Sequence, residues 1–444
     1  MSGRGEPATT VGTTPVRTDV GSNFVSNYPP YSFWTPAQLP AVEQALDAPP
    51  AADVPLGLYV HVPFCRKRCK FCYFKVFTDK NARQVEEYLD ALAREAEALA
   101  ARRAIAGRPL SFAYVGGGTP SFLSSRQLHR MFDALRAALP WDSIEEVTFE
   151  CEPGTLTRPK VRAIHEVGVT RLSLGVESFD DAILAENGRA HLRREIERTL
   201  PWIHEERFDQ VNIDLIAGMV GDGWDSWRDS VRRVIDAGPD SVTVYQMELP
   251  YNTIYSRSML DGRPVAVADW PLKRAWHDFA FRELEAAGYE PSSAYTMVRR
   301  GRGARFVYRD SLWRGADLVG IGLSSFSHVG GVHFQNASGW DAYVSAVQAG
   351  KLAIERAFAT DPDERLTRET ILQLKHGRIE PSYFREKFGV DVLERFRTAI
   401  AALVERGLAE VREGRLELRR EGLLAVDQLL PEFYAERYRN ARYT

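Results

Sequence analysis

The sequence predicts an α/β protein with an open barrel of six parallel strands and a smaller helical domain after it. Short runs rich in β-branched residues recur six times between residues 57 and 247. Segments with helical periodicity separate these runs, so each strand and helix form part of a repeated βαβ unit. Because a complete α/β barrel has eight such units, six predict a partial (β/α)6 barrel with its helices outside.

The predicted strands end in Gly, Pro or polar residues. They are GLYVHV (57–62), SFAYV (111–115), EEVTFE (145–150), TRLSLGV (170–176), QVNIDLI (210–216) and SVTVYQM (241–247). Helices are predicted at 83–103, 126–139, 158–168, 192–206 and 223–238. The first of these places Val85, Tyr88, Leu89, Leu92 and Leu99 on one face, which we expect to pack against the sheet.

The pattern changes after about residue 360. Three helical segments are followed by two short strands around REG (412–414) and another helix, an order typical of a winged-helix-like module. The net charge of −3 and isoelectric point near 6.4 favour packing or substrate covering over DNA binding for this module.

Composition limits the compartment and the partners. A hydrophobic content of 44% and a charged content of 26% are typical of soluble globular proteins. The first 22 residues have no apolar core of a signal peptide and read as a disordered leader. With no bilayer-spanning stretch and no net basic charge, the sequence predicts a cytoplasmic protein without nucleic-acid or membrane partners.

Three of the four cysteines are clustered. Cys65, Cys69 and Cys72 form a C-x3-C-x2-C pattern directly after the first predicted strand, and Cys151 lies far away. A structural zinc site normally has a fourth ligand, and none follows at a suitable spacing. Three thiolates that leave one iron of a four-iron cluster open fit better; zinc and inert thiols remain alternatives. We expect Cys151 to be a buried, inert thiol.

The cysteine loop is the signature of radical S-adenosylmethionine (SAM) enzymes. The chain resembles one branch of them, the oxygen-independent coproporphyrinogen III oxidases and their HemN-like relatives, from about residue 27 to 435. The motifs that carry the resemblance are LYVHVPFC, YVGGGTPSFL, FECEPGTLT, RLSLGVESFDD, GRAH, NIDLIAG, DLVGIGLSSFSHV and HFQN. It implies an N-terminal segment over the barrel mouth (23–55), a radical SAM barrel (56–360) and a HemN-like C-terminal domain (361–444).

The resemblance also implies cofactors and their contacts. Cys65, Cys69 and Cys72 would hold a [4Fe-4S] cluster, and two SAM molecules are expected. The implied SAM contacts are Tyr59 beside the cluster, Gly116, Gly117, Gly118 and Thr119 at the amino group, Glu150 at the ribose, Arg189 at the carboxylate, and Asp214 at the adenosyl part or a second SAM. Tight packing of the glycines and ion pairs of the carboxylates are the alternatives.

Three departures from the oxidase pattern bear on the reaction. Phe74 replaces a cysteine, Glu177 replaces a glutamine, and residues 307–315 bring Tyr308 and Trp313 where the oxidase helps hold a second SAM. We assign catalytic roles to Glu177, as a proton acceptor that also contacts a SAM, and to Tyr308, as an aromatic surface. The alternative for the three aromatic residues is core packing of Phe74, Tyr308 and Trp313. The alternative for Glu177 is an ion pair with Arg189.

These departures favour class C methylation or cyclopropanation, in which a second SAM donates a methylene group to an sp² carbon of a natural product. Oxidative decarboxylation of propionates, as in coproporphyrinogen III oxidase, is the alternative reaction, and a heme-binding chaperone is a non-enzymatic one. The substrate is expected to be a small molecule or a molecule bound to a carrier protein.

Two basic segments remain. Arg299, Arg300, Arg302, Arg305 and Arg309 could grip substrate carboxylates or a carrier protein, or form a solvated loop. The run Arg66, Lys67, Arg68 and Lys70 could offset the cluster charge or dock a flavodoxin- or ferredoxin-type electron donor.

Overall fold

The computed structural model describes residues 18–22, 24–439 and 441. Most of the predicted leader therefore lies outside the described residues. Six parallel strands form the centre of the fold and are neighbours in chain order, as predicted. They are β1 (Leu56–Val62), β2 (Leu110–Gly117), β3 (Glu146–Cys151), β4 (Arg171–Glu177), β5 (Gln210–Ala217) and β6 (Ser241–Gln246).

Further strands extend both edges into a sheet of twelve. At one edge, β8 (Thr296–Arg299) pairs antiparallel with β6, and β7 (Tyr289–Pro291) pairs antiparallel with β8. At the other edge β9 (Asp317–Ile321) runs parallel to β1, and β10 (Phe326–Val329), β11 (Val332–Asn336) and β12 (Ile354–Ala359) follow antiparallel. The two edges do not pair with each other among the described residues, so the partial barrel is open, as predicted.

The helices of this part follow the predicted alternation. They are α1 (Leu39–Asp47), α2 (Ala82–Ala100), α3 (Ser125–Ala138), α4 (Arg158–Glu166), α5 (Asp181–Glu186), α6 (Arg193–Glu206), α7 (Trp224–Ala237), α8 (Ile254–Leu260), α9 (Trp270–Ala286), α10 (Val307–Trp313) and α11 (Trp340–Gln348). Helix α2 begins at a capping box, in which Asn81 and Gln84 satisfy each other's backbone N–H groups. Its five predicted apolar residues are all buried.

Helix α10 lies at the amino end of the central strands. The Glu146 carboxylate, at the start of β3, accepts hydrogen bonds from the backbone N–H groups of Val307 and Tyr308 at 2.9 and 3.1 Å. The two N–H groups belong to the N-terminus of α10, where the positive end of the helix dipole stabilises a carboxylate. These hydrogen bonds hold the backbone of Tyr308 at the amino end of β3.

The arginine-rich loop lies at this same amino end, away from the cysteines. Arg302 pairs with Asp240, which precedes β6, at 3.0 Å, and Arg305 pairs with Glu145, which precedes β3. Arg309 is buried and hydrogen-bonds Ser292 at 2.8 Å. The cysteine loop follows the opposite, carboxyl end of β1. The arginines therefore lie at the end of the barrel opposite the cysteines, and their binding of a substrate or a carrier protein stays a prediction.

The C-terminal part has helices, then two strands and then helices, as predicted, with one additional short strand and additional short helices. It contains α12 (Pro362–Leu374), β13 (Arg378–Ile379), α13 (Pro381–Phe388), α14 (Val392–Arg395), α15 (Arg397–Glu405), β14 (Ala409–Arg412), β15 (Arg415–Leu418), α16 (Arg420–Leu424) and α17 (Val426–Leu429). The three strands form a small antiparallel sheet in the order β13-β15-β14. The predicted strands flank the REG turn as β14 and β15.

The N-terminal segment packs against this C-terminal part. Val25, Tyr28 and Trp34 belong to the same buried apolar cluster as Ile371 and Phe384. The segment also reaches the barrel rim, since Gly21 N–H donates to the carbonyl of Leu249, just beyond β6, at 2.7 Å. The first described residues therefore run along the carboxyl end of the strands.

Candidate active site

The cysteine loop connects β1 to α2 and is held at several points. Cys65 N–H donates to the carbonyl of Phe77 at 3.0 Å, and Lys70 N–H donates to the carbonyl of Asn187 at 3.0 Å. Cys65, Cys69 and Cys72 are all half-buried. The loop is thus positioned by backbone hydrogen bonds at the end of β1, where active sites of α/β barrels collect.

Two polar side chains point at the thiols. Thr119 Oγ1 donates to Cys65 Sγ at 3.3 Å, and a guanidinium nitrogen of Arg189 donates to Cys69 Sγ at 3.4 Å. Burial raises the pKa of Cys65 to about 12 and that of Cys72 to about 11. A bound metal would replace these protons, because thiolates are the ligating form.

The donor set consists of three thiols on one loop. In the part of the chain that the structure describes, no group of three His, Cys, Asp or Glu side chains is placed to hold one metal ion. Thiolates are soft ligands that suit iron–sulfur clusters and zinc, and three of them leave one iron of a four-iron cluster open. The residues present therefore fit a cluster by their chemistry.

The glycine loop at the end of β2 is tightly packed. A Cβ atom on Gly117 would lie 2.5 Å from the His61 ring, and one on Gly118 would lie 2.8 Å from the Val62 carbonyl oxygen. Gly117 also has a φ of +110°, which favours glycine. A Cβ on Gly116 would lie 3.0 Å from the Glu150 carboxylate. Packing thus accounts for all three glycines, and their contact with a SAM amino group stays a prediction.

Three carboxyl groups gather on the neighbouring strands β3, β4 and β5. Glu150 accepts hydrogen bonds from Tyr114 Oη at 2.5 Å and Gly117 N–H at 3.2 Å. Burial raises its pKa to about 7. Asp214 accepts hydrogen bonds from Ser173 at 3.0 Å and Asn212 at 2.8 Å, and burial raises its pKa too.

Glu177 is the third of these acids and is held in a strained backbone conformation. It ends β4 with a φ of +67°, which is uncommon for a residue with a side chain. Its carboxylate lies 3.6 Å from Arg189, so the predicted ion pair is present. Burial raises its pKa to about 7, and Arg189 offsets only part of that rise. Such a group can exchange a proton near neutral pH.

Arg189 connects the thiols to the carboxylates. It donates to the Gly175 carbonyl at 2.7 Å as well as to Cys69 and lies beside Glu177. Its Nε–H is buried and has no hydrogen-bond partner among the described residues. An unused guanidinium donor is what a carboxylate-bearing ligand would satisfy, so this residue fits the expected SAM carboxylate.

Aromatic rings line the space below the carboxylates. Tyr59 hydrogen-bonds His61 Nδ1 at 3.0 Å and stacks near Tyr114, with 6.1 Å between ring centroids. Tyr308 lies 4.5 Å from the Tyr114 ring centroid. Tyr308 therefore lies beside Tyr114, and its role as an aromatic surface stays a prediction. Our sequence reasoning did not select Tyr114, although it stands two residues before Gly116 on the same face of β2.

Two other aromatic residues differ in placement. Trp313 packs on the ring of His376, 4.6 Å away, which agrees with the core-packing alternative for this residue. The cause is the direction of α10, which turns Trp313 towards α12. Phe74 is 42% exposed and stacks on Tyr73 at 4.4 Å, which excludes the core-packing alternative. Cys151 is buried, and burial raises the pKa of its thiol, as expected of an inert thiol.

Comparison with known proteins matches these features. The family model for the radical SAM superfamily matches residues 59–234, and the model for the HemN C-terminal domain matches residues 360–425. The chain contains a radical SAM domain and a HemN C-terminal domain. The radical SAM domain implies a [4Fe-4S] cluster and SAM.

Similar proteins include oxidases and a heme chaperone. The solved structure of coproporphyrinogen III oxidase (HemN) from Escherichia coli matches with a TM-score of 0.81 and 25% identity, over 92% of this chain and 96% of that one. The oxygen-independent coproporphyrinogen III oxidase of Pseudomonas aeruginosa is 28% identical over 87% of this chain and 88% of that protein. The heme chaperone HemW of Bacillus subtilis is 25% identical over 85% of this chain and 99% of that protein.

These relatives bear on the expected reaction. They support the oxidase alternative better than the methylation or cyclopropanation that the sequence favoured.

A search of the described residues for membrane-spanning helices finds none with the length and apolar character that a bilayer crossing needs.

The raised pKa of Glu177 predicts a pH-dependent stability effect. Between the ordinary pKa of 4.5 and the folded value of about 7, the folded chain keeps a proton that the unfolded chain has lost. Stability is therefore lost progressively as pH rises from about 4.5 to about 7, and it stays lost above the folded pKa. Glu177→Gln has no such loss, so we expect it to raise the unfolding free energy of the apo-protein at pH 8 by about 2 kcal/mol.

Urea unfolding at pH 4 and pH 8 measures this effect. The difference between Glu177→Gln and wild type should nearly vanish at pH 4, where Glu177 is largely protonated in the folded and in the unfolded chain. Glu197→Gln, at an exposed carboxylate, is the matched control and should shift neither value. An equal difference at both pH values would show that packing, not ionisation, is the cause.

Proposed function

We propose that this protein is a HemN-type radical SAM enzyme that oxidatively decarboxylates propionate side chains of a porphyrinogen. The observation that carries the proposal is the match to HemN across nearly the whole of both chains, together with the thiols, Arg189 and the carboxylates at one end of the barrel. When bound, the cluster supplies the electron that cleaves SAM to methionine and a 5′-deoxyadenosyl radical.

The chain's own residues would position SAM and exclude water. Arg189 pairs with the SAM carboxylate through its unused donor, and Glu150 accepts hydrogen bonds from the ribose hydroxyls. The rings of Tyr59, Tyr114 and Tyr308 form an apolar floor that keeps water from a reactive radical. Hydrogen abstraction beside a propionate carboxylate, then loss of carbon dioxide and of one electron to an acceptor, leaves a vinyl group.

The exposed side chains at the barrel rim are suited to bind a large, apolar substrate. Of the nine large apolar side chains that are exposed in the described part of the chain, six lie on the cysteine loop, near the end of β6 or in the segment after it. These six are Tyr73, Phe74, Tyr245, Tyr251, Ile254 and Leu260. The two loops also touch, since Asn252 donates to the Tyr73 carbonyl at 2.6 Å. A concentrated apolar rim at the mouth of a site suits a macrocycle with a large apolar face.

Methylene transfer from a second SAM is the other candidate reaction. Glu177 supports it, since a buried carboxyl with a pKa near 7 is suited to take the proton that must leave an sp² carbon after methylation. The relatives do not favour this reaction, so it stands second.

Labelled SAM distinguishes the two reactions. The reduced, reconstituted protein is incubated anaerobically with coproporphyrinogen III and SAM that carries a deuterated methyl group. We expect release of carbon dioxide, a vinyl product and unlabelled 5′-deoxyadenosine, because the radical abstracts from the propionate. Glu177→Gln should keep this activity within a fewfold of wild type.

Other outcomes would reject decarboxylation. Deuterium in 5′-deoxyadenosine, with a CD₂ unit in a product and loss of activity in Glu177→Gln, would establish methylene transfer. A Soret band on heme addition, without consumption of coproporphyrinogen, would establish heme binding instead.

A further inference from the structure

A basic groove lies beside the cysteine loop, outside the barrel mouth. It has a volume of about 530 Å³. Its cationic walls come from the loop, with Arg66 and Lys67, and from α6, with Arg194 and Arg198. These four side chains, with Arg189 at the floor, define what we call the basic groove.

The groove carries excess positive charge. Arg194 is 81% exposed at its side chain, and Lys67 and Arg198 are exposed as well. Glu195 is the one carboxylate among the described lining residues, and it is already engaged by Arg194 Nε at 2.7 Å and by the Leu192 N–H at 2.9 Å. The whole chain has a net charge of −3, so the positive charge is concentrated at the basic groove and is not a property of the whole surface.

The groove also leads directly to the thiols. Arg189 contributes to its lining and donates to Cys69 Sγ at 3.4 Å. One side chain therefore separates the groove from a cluster ligand. The barrel mouth, by contrast, contains the acidic side chains Glu150, Glu177 and Asp214.

We propose that the basic groove docks an acidic one-electron carrier protein of the flavodoxin class. The proposal rests on the proposed function, because SAM cleavage needs an electron from outside the chain. In this step the carrier loses one electron and the cluster gains it, with no bond made or broken in either protein. Complementary charge speeds such an encounter and orients it, and the effect weakens with salt.

A double variant on α6, Arg194→Glu with Arg198→Glu, tests the proposal. Both side chains are exposed and four residues apart on the same face of α6, and neither contacts the thiols. Binding of oxidised flavodoxin, measured by titration calorimetry at low salt, should weaken about tenfold or more and lose most of its salt dependence. The matched control, Arg282→Glu with Lys351→Glu, reverses two exposed cations outside the groove and should bind flavodoxin like wild type.

SAM cleavage supplies the second readout. Flavodoxin-driven formation of 5′-deoxyadenosine should fall with the binding, while dithionite-driven formation stays within about twofold of wild type, which shows that the variant is folded and loaded. Unchanged flavodoxin binding in the α6 variant would overturn the docking site, as would an equal loss in the control. Wild-type protein that binds flavodoxin but cleaves no SAM with dithionite would overturn the proposed function and leave the docking site standing.

Discussion

Replacing Cys65, Cys69 or Cys72 by Ala is expected to abolish the iron–sulfur cluster and with it all SAM cleavage. A cubane held by three thiolates has no spare protein ligand, so loss of one leaves two irons open and the cluster unstable. Iron and sulfide content after anaerobic reconstitution, with the visible absorption of the cluster, measures the effect. We expect less than about a tenth of the wild-type iron in each variant.

Cys151→Ala is the matched control. Its thiol is 4% exposed and lies on β3 rather than on the loop, so the variant should bind iron like wild type. A Cys151 variant without a cluster, or a Cys69 variant with a full one, would show that the ligand assignment is wrong.

Replacing Arg189 by Ala is expected to weaken SAM binding by about 10- to 150-fold. The reason is the loss of a charge-assisted hydrogen bond to a carboxylate, which is worth about 1.5–3 kcal/mol. Equilibrium binding of SAM to the reconstituted protein measures it. Arg189→Lys should recover only part of the affinity, because the ammonium lacks the planar fork of the guanidinium.

Arg194→Ala controls for the loss of a nearby positive charge. This arginine is exposed and pairs with Glu195, and it should bind SAM like wild type. If Arg189→Ala bound SAM with unchanged affinity but bound less iron, its role would be to orient Cys69 and not to hold SAM.

The barrel could be predicted from the sequence because its strands carry a strong local signal. The runs that became β1 to β6 are bounded by turn residues, and α2 shows its buried face through Val85, Tyr88 and Leu92. The cysteine loop could be predicted for a similar reason. Its three cysteines are close in sequence and directly follow a strand, so the pattern predicts both where the loop lies and that it binds metal.

Long-range placement could not be predicted in the same way. The charged loop from Arg299 to Arg309 looked suited to bind substrate, but Asp240 and Glu145 attract it to the amino end of the strands. Those partners lie about 60 and 160 residues away in the sequence. Trp313 points away for a comparable reason, because the backbone bonds from α10 to Glu146 set the direction of that helix.

Joint measurement of metal content and SAM cleavage tests the central claim most directly. The reconstituted wild-type protein is reduced with dithionite and given SAM without oxygen, and iron, zinc, 5′-deoxyadenosine and methionine are quantified. The radical SAM site described here predicts about four irons per chain and equal amounts of 5′-deoxyadenosine and methionine. Stoichiometric zinc bound by the three cysteines, with no 5′-deoxyadenosine formed, would contradict it.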